Sequence, residues 1–467
     1  MEKSIAKELK EKLLINNKNA GERLDDSEIR NAEKFCFGYT DFLNAAKTER
    51  LTVDYSVNLL EKKGFKVFDK NIKYTTGDKI YYVNREKAII AAVIGNLPIN
   101  KGVNLIASHI DSPRLDLKPR PLYEQGQVAL FKTHYYGGIK KYQWSTIPLS
   151  LVGIIVKKDG TKISVNIGEN SDDPVFTVTD LLPHLADEQM KRSLKDGIKG
   201  EELNLLVGLY PFKDDKESEK VKLNIMNILH EKYNITEHDF LSAELEAVPS
   251  FCAKDVGLDR SMVGGYGQDD RVCAYTSLKA ILDIEKPERC AVVILADKEE
   301  VGSQGNTGLQ SSYLRYFIAD LAAPYGVKAR EVLSSTQCLS ADVNTAFDPT
   351  FPDVVEKNNA AYLNYGVVLT KYTGARGKTG SSDANAEYLA KIRNLFDENG
   401  IIWQTGELGK VDEGGGGTVA SYLANLNIDV VDVGVPVLSM HSPFEVTSKL
   451  DIHMAYKAFV KFLTDNL

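Results

Sequence analysis

Apolar residues along the 467-residue chain recur with two different periods, and the change from one to the other divides it into regions. The first 65 residues carry helical spacing. There, "DDSEIRNAEKFCFGYTDFLNAA" opens on Asp and Ser cap residues and predicts a helix. "KAIIAAVIG" and "VNLIASHID" are instead short β-rich runs, the second ending near His109. Between about 119 and 255, "QVALFKTHYY", "IPLSLVGIIVKK" and "KISVNIG" alternate with turns and charged patches. That texture predicts an inserted, largely β domain. From about 258 onward helical segments ("YTSLKAILDIE", "SSYLRYFIADLAAPYG", "SSDANAEYLAKIRNLFDENG") alternate with strands ("CAVVILA", "YGVVLTKY", "DVVDVGVPVL") up to a closing helix, "DIHMAYKAFVKFLTDNL". The expected fold is α/β, a mixed sheet flanked by helices, with residues 1–118 and 256–467 in one domain and 119–255 in the β-rich insertion.

Length alone argues for more than one core. With 43% hydrophobic and 26% charged residues the chain reads as globular rather than disordered. A net charge of -8 without any dense Lys/Arg run argues against nucleic acid as a partner. The N-terminal "MEKSIAKELKEKLLINNKN" is charged throughout, unlike a signal peptide, and no segment approaches the ~18 apolar residues of a membrane span. Five scattered cysteines without a C-x-x-C pair suit reduced thiols, so a cytoplasmic location is expected.

The candidate chemistry sits where apolar runs end. "NLIAS" leads to His109 and Asp111, "AVVILA" to Asp297, Glu299 and Glu300, "STQCLSA" to Asp342, and "VDVGVPVLSM" to His441. Asp269 stands in "GYGQDDR", where a helix begins. Ligands of open α/β sheets bind outside the carboxyl ends of the strands, so these groups are delivered toward one edge. Each alone is ordinary: a strand-end imidazole is usually just hydrogen-bonded, and an acidic turn is usually just solvated. Two of only seven histidines at such exits, beside acids, carry more weight. Mixed His/Asp/Glu ligands without thiolate suit zinc, manganese or cobalt. Asp111, two residues beyond His109, can reach its ring and fix its tautomer.

"SHIDSPRLDLKP", "GQDDR", "DKEEVGS", "SAD" and "LSMHSPFE" resemble, in this order and over nearly the whole chain, the motifs of the aspartyl aminopeptidase and vacuolar aminopeptidase I family. The resemblance implies a dizinc exopeptidase that removes N-terminal residues from peptide substrates. It implies two divalent ions, most simply zinc: His109, Asp269 and Asp342 on one, and Asp269, Glu300 and His441 on the other. Glu299 would be the general base, and Asp111 would orient His109. It further implies a homo-oligomer, a tetrahedral dodecamer built from dimers, in which the inserted domain pairs subunits and His184 enters the neighbour's site.

Two segments depart from the family pattern. "DVNTAFDPT" lacks the histidines expected after Asp342, and "WSTIPL" lacks an Asp-Arg pair, which puts the acidic specificity of some members in question and favours neutral N-terminal residues. "YTGARGKTG" is a near miss for a phosphate loop, because Tyr372 stands where the pattern needs glycine. Lys371, Tyr372 and Arg376 are candidate pocket residues instead. In "DEGGGGTVA", Gly417 and Thr418 are candidates for close substrate approach. Tyr135, Tyr136 and Trp144 read as interface or core aromatics. A related dizinc carboxypeptidase or deacylase, or a catalytically silent assembly protein, are the rival readings.

Overall fold

In "CAVVILA" every residue is apolar, and both faces of the strand it forms are covered. Ala291, Val293 and Leu295 pack with the helices Asp26–Ala45, Gln268–Leu282 and Lys449–Thr464. Val292 and Ile294 face the opposite layer, with Leu314, Phe317, Ile318 and Leu423. An uninterrupted apolar run is what a strand buried on both sides requires. The computed structural model describes residues 4–213, 217–374 and 376–466.

This strand lies in a nine-stranded mixed sheet, with Val103–His109, Gln337–Ser340 and Asp429–Gly434 following beside it. These four run parallel, in a register that sets Ala296 opposite His109 and Ser340 opposite Ala107. Their carboxyl ends therefore open on one edge. Antiparallel strands, Ala88–Val93 and Val367–Thr370, flank the parallel set. The helix expected from its Asp/Ser cap spans Asp26–Ala45, with the Asp25 carboxylate accepting the N–H groups of Ser27 and Glu28.

A seven-stranded antiparallel sheet is built wholly from residues 114–249, in the order 162–167, 149–156, 243–249, 114–125, 128–136, 205–208 and 177–178. Its first strand begins at Arg114. One helix, Lys220–Tyr233, packs Val221 and Ile225 into the core under this sheet, beside Phe131 and Phe240. A third sheet of five short strands includes Met262–Gly265, Pro436–Leu438 and Glu445–Ser448.

One local expectation is corrected. "DVVDVGVPVL" is not one strand: Asp429–Gly434 belongs to the large sheet, and Pro436–Leu438 turns into the small one. Glu299 and Glu300 lie beyond a strand end, as expected. The chain leaves the sheet at Ala296, Lys298 adopts a left-handed conformation, and the two glutamates occupy a single 3-10 turn.

Candidate metal centre

Three parallel strands bring His109, the Glu299–Glu300 turn and Asp342 to the open edge. The small sheet adds the other two groups. Met262–Gly265 leads into the helix whose first turn holds Asp269, and Pro436–Leu438 leads to His441.

Asp269 lies at the middle. Its Oδ1 is 3.1 Å from His109 Nε2, and its Oδ2 is 3.2 Å from His441 Nε2. Asp342 Oδ1 approaches the first imidazole nitrogen at 3.6 Å, and Glu300 Oε2 approaches the second at 3.5 Å. The remaining ring nitrogens point away, toward acceptors. His109 Nδ1 is 3.0 Å from the Asp111 carbonyl oxygen and 3.4 Å from Asp111 Oδ1, and His441 Nδ1 is 2.7 Å from the Gly138 carbonyl oxygen. A carbonyl oxygen only accepts, so each Nδ1 carries the proton and each Nε2 can offer a lone pair to a cation.

Asp111 does more than orient His109. Its Oδ1 accepts the Glu299 N–H and its Oδ2 the Glu300 N–H, each at 3.1 Å, which fixes the turn that carries both glutamates. Three further groups were not assigned from sequence. Asp270 Oδ2 accepts the His109 N–H at 3.2 Å. Glu445, inside the "LSMHSPFE" motif, accepts the His441 N–H at 2.7 Å and the Asp269 N–H at 3.1 Å. Tyr136, read as a core or interface aromatic, donates its hydroxyl to Asp111 Oδ2 at 2.7 Å. The Asp and Glu of the quoted motifs were legible signals, whereas nothing near Tyr136 in sequence points to Asp111.

The electrostatics call for cations. Burial, reinforced by the charges of Asp342, Asp111 and Asp269, pushes Glu299 up to about 8, against the pull of His109. Burial and Asp269 likewise lift Glu300 well above the usual carboxylate range, and its Oε1 is buried without a partner. Burial opposes charge on His441, yet the hydrogen bond to Asp269 and the charge of Glu300 lift its pKa to about 11. Ligand atoms of His109, Asp269 and Glu300, and separately of His109, Asp270 and Asp342, lie within 4.8 Å of one another. Nitrogen and oxygen donors at this spacing, with an orphaned carboxylate oxygen among them, fit zinc.

Other candidates lie elsewhere in the bonding pattern. Asp297 is buried and accepts the Thr307 hydroxyl at 2.6 Å. Lys371 and Lys378 both pair with Asp383, and the Tyr372 hydroxyl donates to Glu407. Arg376 is exposed on the same loop. Gly416 accepts the Gly374 N–H at 2.6 Å, so the two glycine loops pack together, and Gly417 lies in that contact. Thr418 donates to the buried Asp432 at 2.7 Å. His184 is exposed in a short turn of the seven-stranded-sheet region.

Known proteins match this chain over almost its whole length. A probable M18 family aminopeptidase 1 of Clostridium acetobutylicum is 49% identical, with 97% of this chain and 99% of that protein covered. The crystal structure of an M18 family aminopeptidase from Thermotoga maritima superposes with a TM-score of 0.92 at 45% identity, over 97% of this chain and 100% of that one. The S. cerevisiae mApe1 dodecamer, at 22% identity and a TM-score of 0.75 over 93% of this chain and 97% of that one, shares the fold. Residues 42–463 match the Peptidase_M18 family, and the chain belongs to it: it is an M18 aminopeptidase, a zinc metalloprotease of the aminopeptidase I type.

Proposed function

We propose that this aminopeptidase works with two zinc ions, His109, Asp269 and Asp342 holding one, and Asp269, Glu300 and His441 the other, with Glu299 as general base. The observation that carries the reading is the placement of Asp269, each of whose oxygens faces the Nε2 of a different histidine. When bound, the ions lower the pKa of the attacking water and polarise the scissile carbonyl. Glu299 takes the proton of that water and returns it to the departing amine. Its carboxylate is suited to this because it stands beside the Glu300 ligand on one short turn, next to the place where the water would lie. Asp111 holds the Glu299 backbone and the His109 ring in one arrangement, so base and ligand keep their spacing. Manganese or cobalt in place of zinc is compatible with the same donors.

The substrates in this reading are peptides with neutral N-terminal residues. Lys371, the candidate partner for an acidic side chain, is already paired with Asp383. A cleft of about 550 Å³ beside His441 is lined by Phe351, Val354, Leu438 and Met440, with Lys140 and Asp348 adding one charge of each sign, and its apolar part suits a neutral side chain. We further infer a division into a catalytic domain, 1–118 and 256–467, and an inserted domain, 119–255, that pairs subunits in a tetrahedral dodecamer built from dimers. Support comes from the exposed Leu181, Leu182, Leu185, Met190 and Leu194 around His184, an apolar patch of the kind that marks an interface. All five cysteines are free and no described helix is long and apolar enough to cross a membrane, which supports the expected cytoplasmic setting.

The test is metal content. Two zinc ions per chain are expected, with Glu300→Gln losing at least one. A single ion per chain in fully active enzyme would refute the two-ion reading.

A further inference from the structure

Residues 136–138 follow from the seven-stranded sheet, yet they touch three groups of the metal centre. The Tyr136 hydroxyl donates to Asp111 Oδ2, the oxygen that also receives the Glu300 N–H. Gly137 has φ +75°, and a Cβ there would stand 3.3 Å from both Cβ and Oε2 of Glu300. The Gly138 carbonyl oxygen takes the proton of His441 Nδ1. One short segment therefore contacts two ligands of one ion site, Glu300 and His441, and the carboxylate that anchors the glutamate turn.

The segment is itself clamped. Arg114 and Tyr136 are opposite partners in the ladder, and the Arg114 guanidinium carbon lies 3.9 Å from the centre of the Tyr136 ring. That guanidinium is buried and paired with Asp116 at 2.8 Å, Glu246 at 3.3 Å and Glu49 at 3.4 Å, so it is not free to drift. The ring is held from one side and spends its hydroxyl on Asp111. Ring packing alone would be met equally well by phenylalanine.

We propose that Tyr136-Gly137-Gly138 is a positioning strap, through which the seven-stranded sheet sets the geometry of the metal centre, with Tyr136 as a positioning residue for hydrolysis. This rests on the two-ion reading above. Without the hydroxyl, Asp111 keeps only backbone and imidazole partners and can rotate, taking the His109 ring and the glutamate turn with it. Losing an outer partner of a metal ligand typically costs about 10–100-fold in metal affinity or activity, and Tyr136 acts on the ligand His109 through such a partner, Asp111.

Tyr136→Phe keeps the stacking on Arg114 and removes only the hydroxyl. Zinc affinity, read by competition with a chromogenic chelator, should fall about 10–100-fold. At saturating zinc, kcat on a leucine anilide should fall at least about tenfold with KM nearly unchanged, while melting midpoint and assembly size stay those of the parent. Gly137→Ala tests the strap independently, since the new methyl presses on Glu300, and it should weaken zinc in the same way. Glu300→Gln separates the two hypotheses. If Glu300→Gln binds zinc like the parent, the two-ion reading fails. If Glu300→Gln loses zinc while Tyr136→Phe and Gly137→Ala keep parental zinc affinity and kcat, the strap alone is overturned. Should Tyr136→Phe not fold, the Gly137→Ala result decides.

Discussion

Replacing Glu299 by glutamine should make the metal-free protein more stable and the zinc enzyme nearly inactive. In the metal-free chain Glu299 is surrounded by Asp342, Asp111 and Asp269 and has lost most of its water, which raises its pKa from 4.5 to about 8. Keeping it in the protonated form at pH 7, where the unfolded chain would ionise it, costs on the order of 3 kcal/mol. The sign follows from the raised carboxylate pKa. The folded state binds the extra proton, so stability falls as pH rises from about 4.5 to about 8. Glutamine has the same shape and nothing to ionise, so that penalty disappears. In zinc-loaded enzyme the ions offset the same charge, and the gain should shrink. Turnover should drop by about 10²–10⁴-fold, some 3–5 kcal/mol in the barrier, because no other carboxylate takes over as base. Urea denaturation of the chelated proteins at pH 7, paired with kcat at saturating zinc, reads both effects. A Glu299→Gln variant that is less stable without metal refutes the crowded-carboxylate picture. One with full zinc and kcat within fivefold of the parent refutes the base assignment.

Three other outcomes are expected. The enzyme should hydrolyse leucine and alanine peptides at least as well as aspartate and glutamate peptides; a hundredfold higher kcat/KM for acidic residues, about 2.7 kcal/mol, would show that Lys371 exchanges Asp383 for substrate. If His184 acts across a subunit interface, mixing His184→Ala with Glu299→Gln subunits should restore part of the activity, and verified mixed assemblies without any recovery would remove it from the neighbour's site. His453 is half-buried, and burial followed by the charge of Lys457 depresses its pKa from 6.5 to about 4, so the folded state keeps it neutral and loses stability as pH falls from about 6.5 to about 4. His453→Gln should therefore flatten the fall in melting midpoint across that window, and an unchanged slope would count against it.

The proposed ligand set was legible in the sequence because its members close local patterns. An apolar run ending in His or Asp is readable without knowing what the neighbouring chain does, and parallel strands bring such ends together. What was not legible depends on partners far away in sequence. The helix Lys220–Tyr233 went unread because its N-terminus has no side-chain cap of its own. The N–H groups of Val221 and Lys222 are accepted instead by Glu124, which lies 97 and 98 residues earlier. The strand break at Val435 was legible, because Gly434 and Pro436 flank it and a central strand rarely holds either. Lys371 looked like a pocket cation because nothing adjacent opposes it, yet Asp383 sits across the loop. Tyr136 packs on Arg114 as a core or interface aromatic does, and its bond to Asp111 was hidden for the same reason: the partner is 25 residues away, across a strand turn.

These distant contacts explain why a chain tolerates so many acids at one point. Each carboxylate taken from water must be met by donors or by positive charge. Asp111 is met by two backbone N–H groups, a tyrosine hydroxyl and an imidazole. Glu445, lifted to about 8 chiefly by burial, is met by the N–H groups of Asp269 and His441. Asp269 is met by the two imidazoles, which hold it below the ordinary range despite its burial. Glu299 and Glu300, the adjacent pair on the 3-10 turn, are left with raised pKa values and too few donors. Burial also raises Asp342 and Asp270, and Asp270 Oδ1 has no partner, so the unmet charge gathers at the groups assigned to the ions and the water and at the acid beside them. Hydrogen-bonding partners from all three sheets build this centre. The large sheet supplies the ligand-bearing turns, the small sheet supplies Glu445, and the seven-stranded sheet supplies Tyr136 and Gly138. A centre built this way forms only when the three sheets are docked, which ties hydrolysis to the folding of the whole chain.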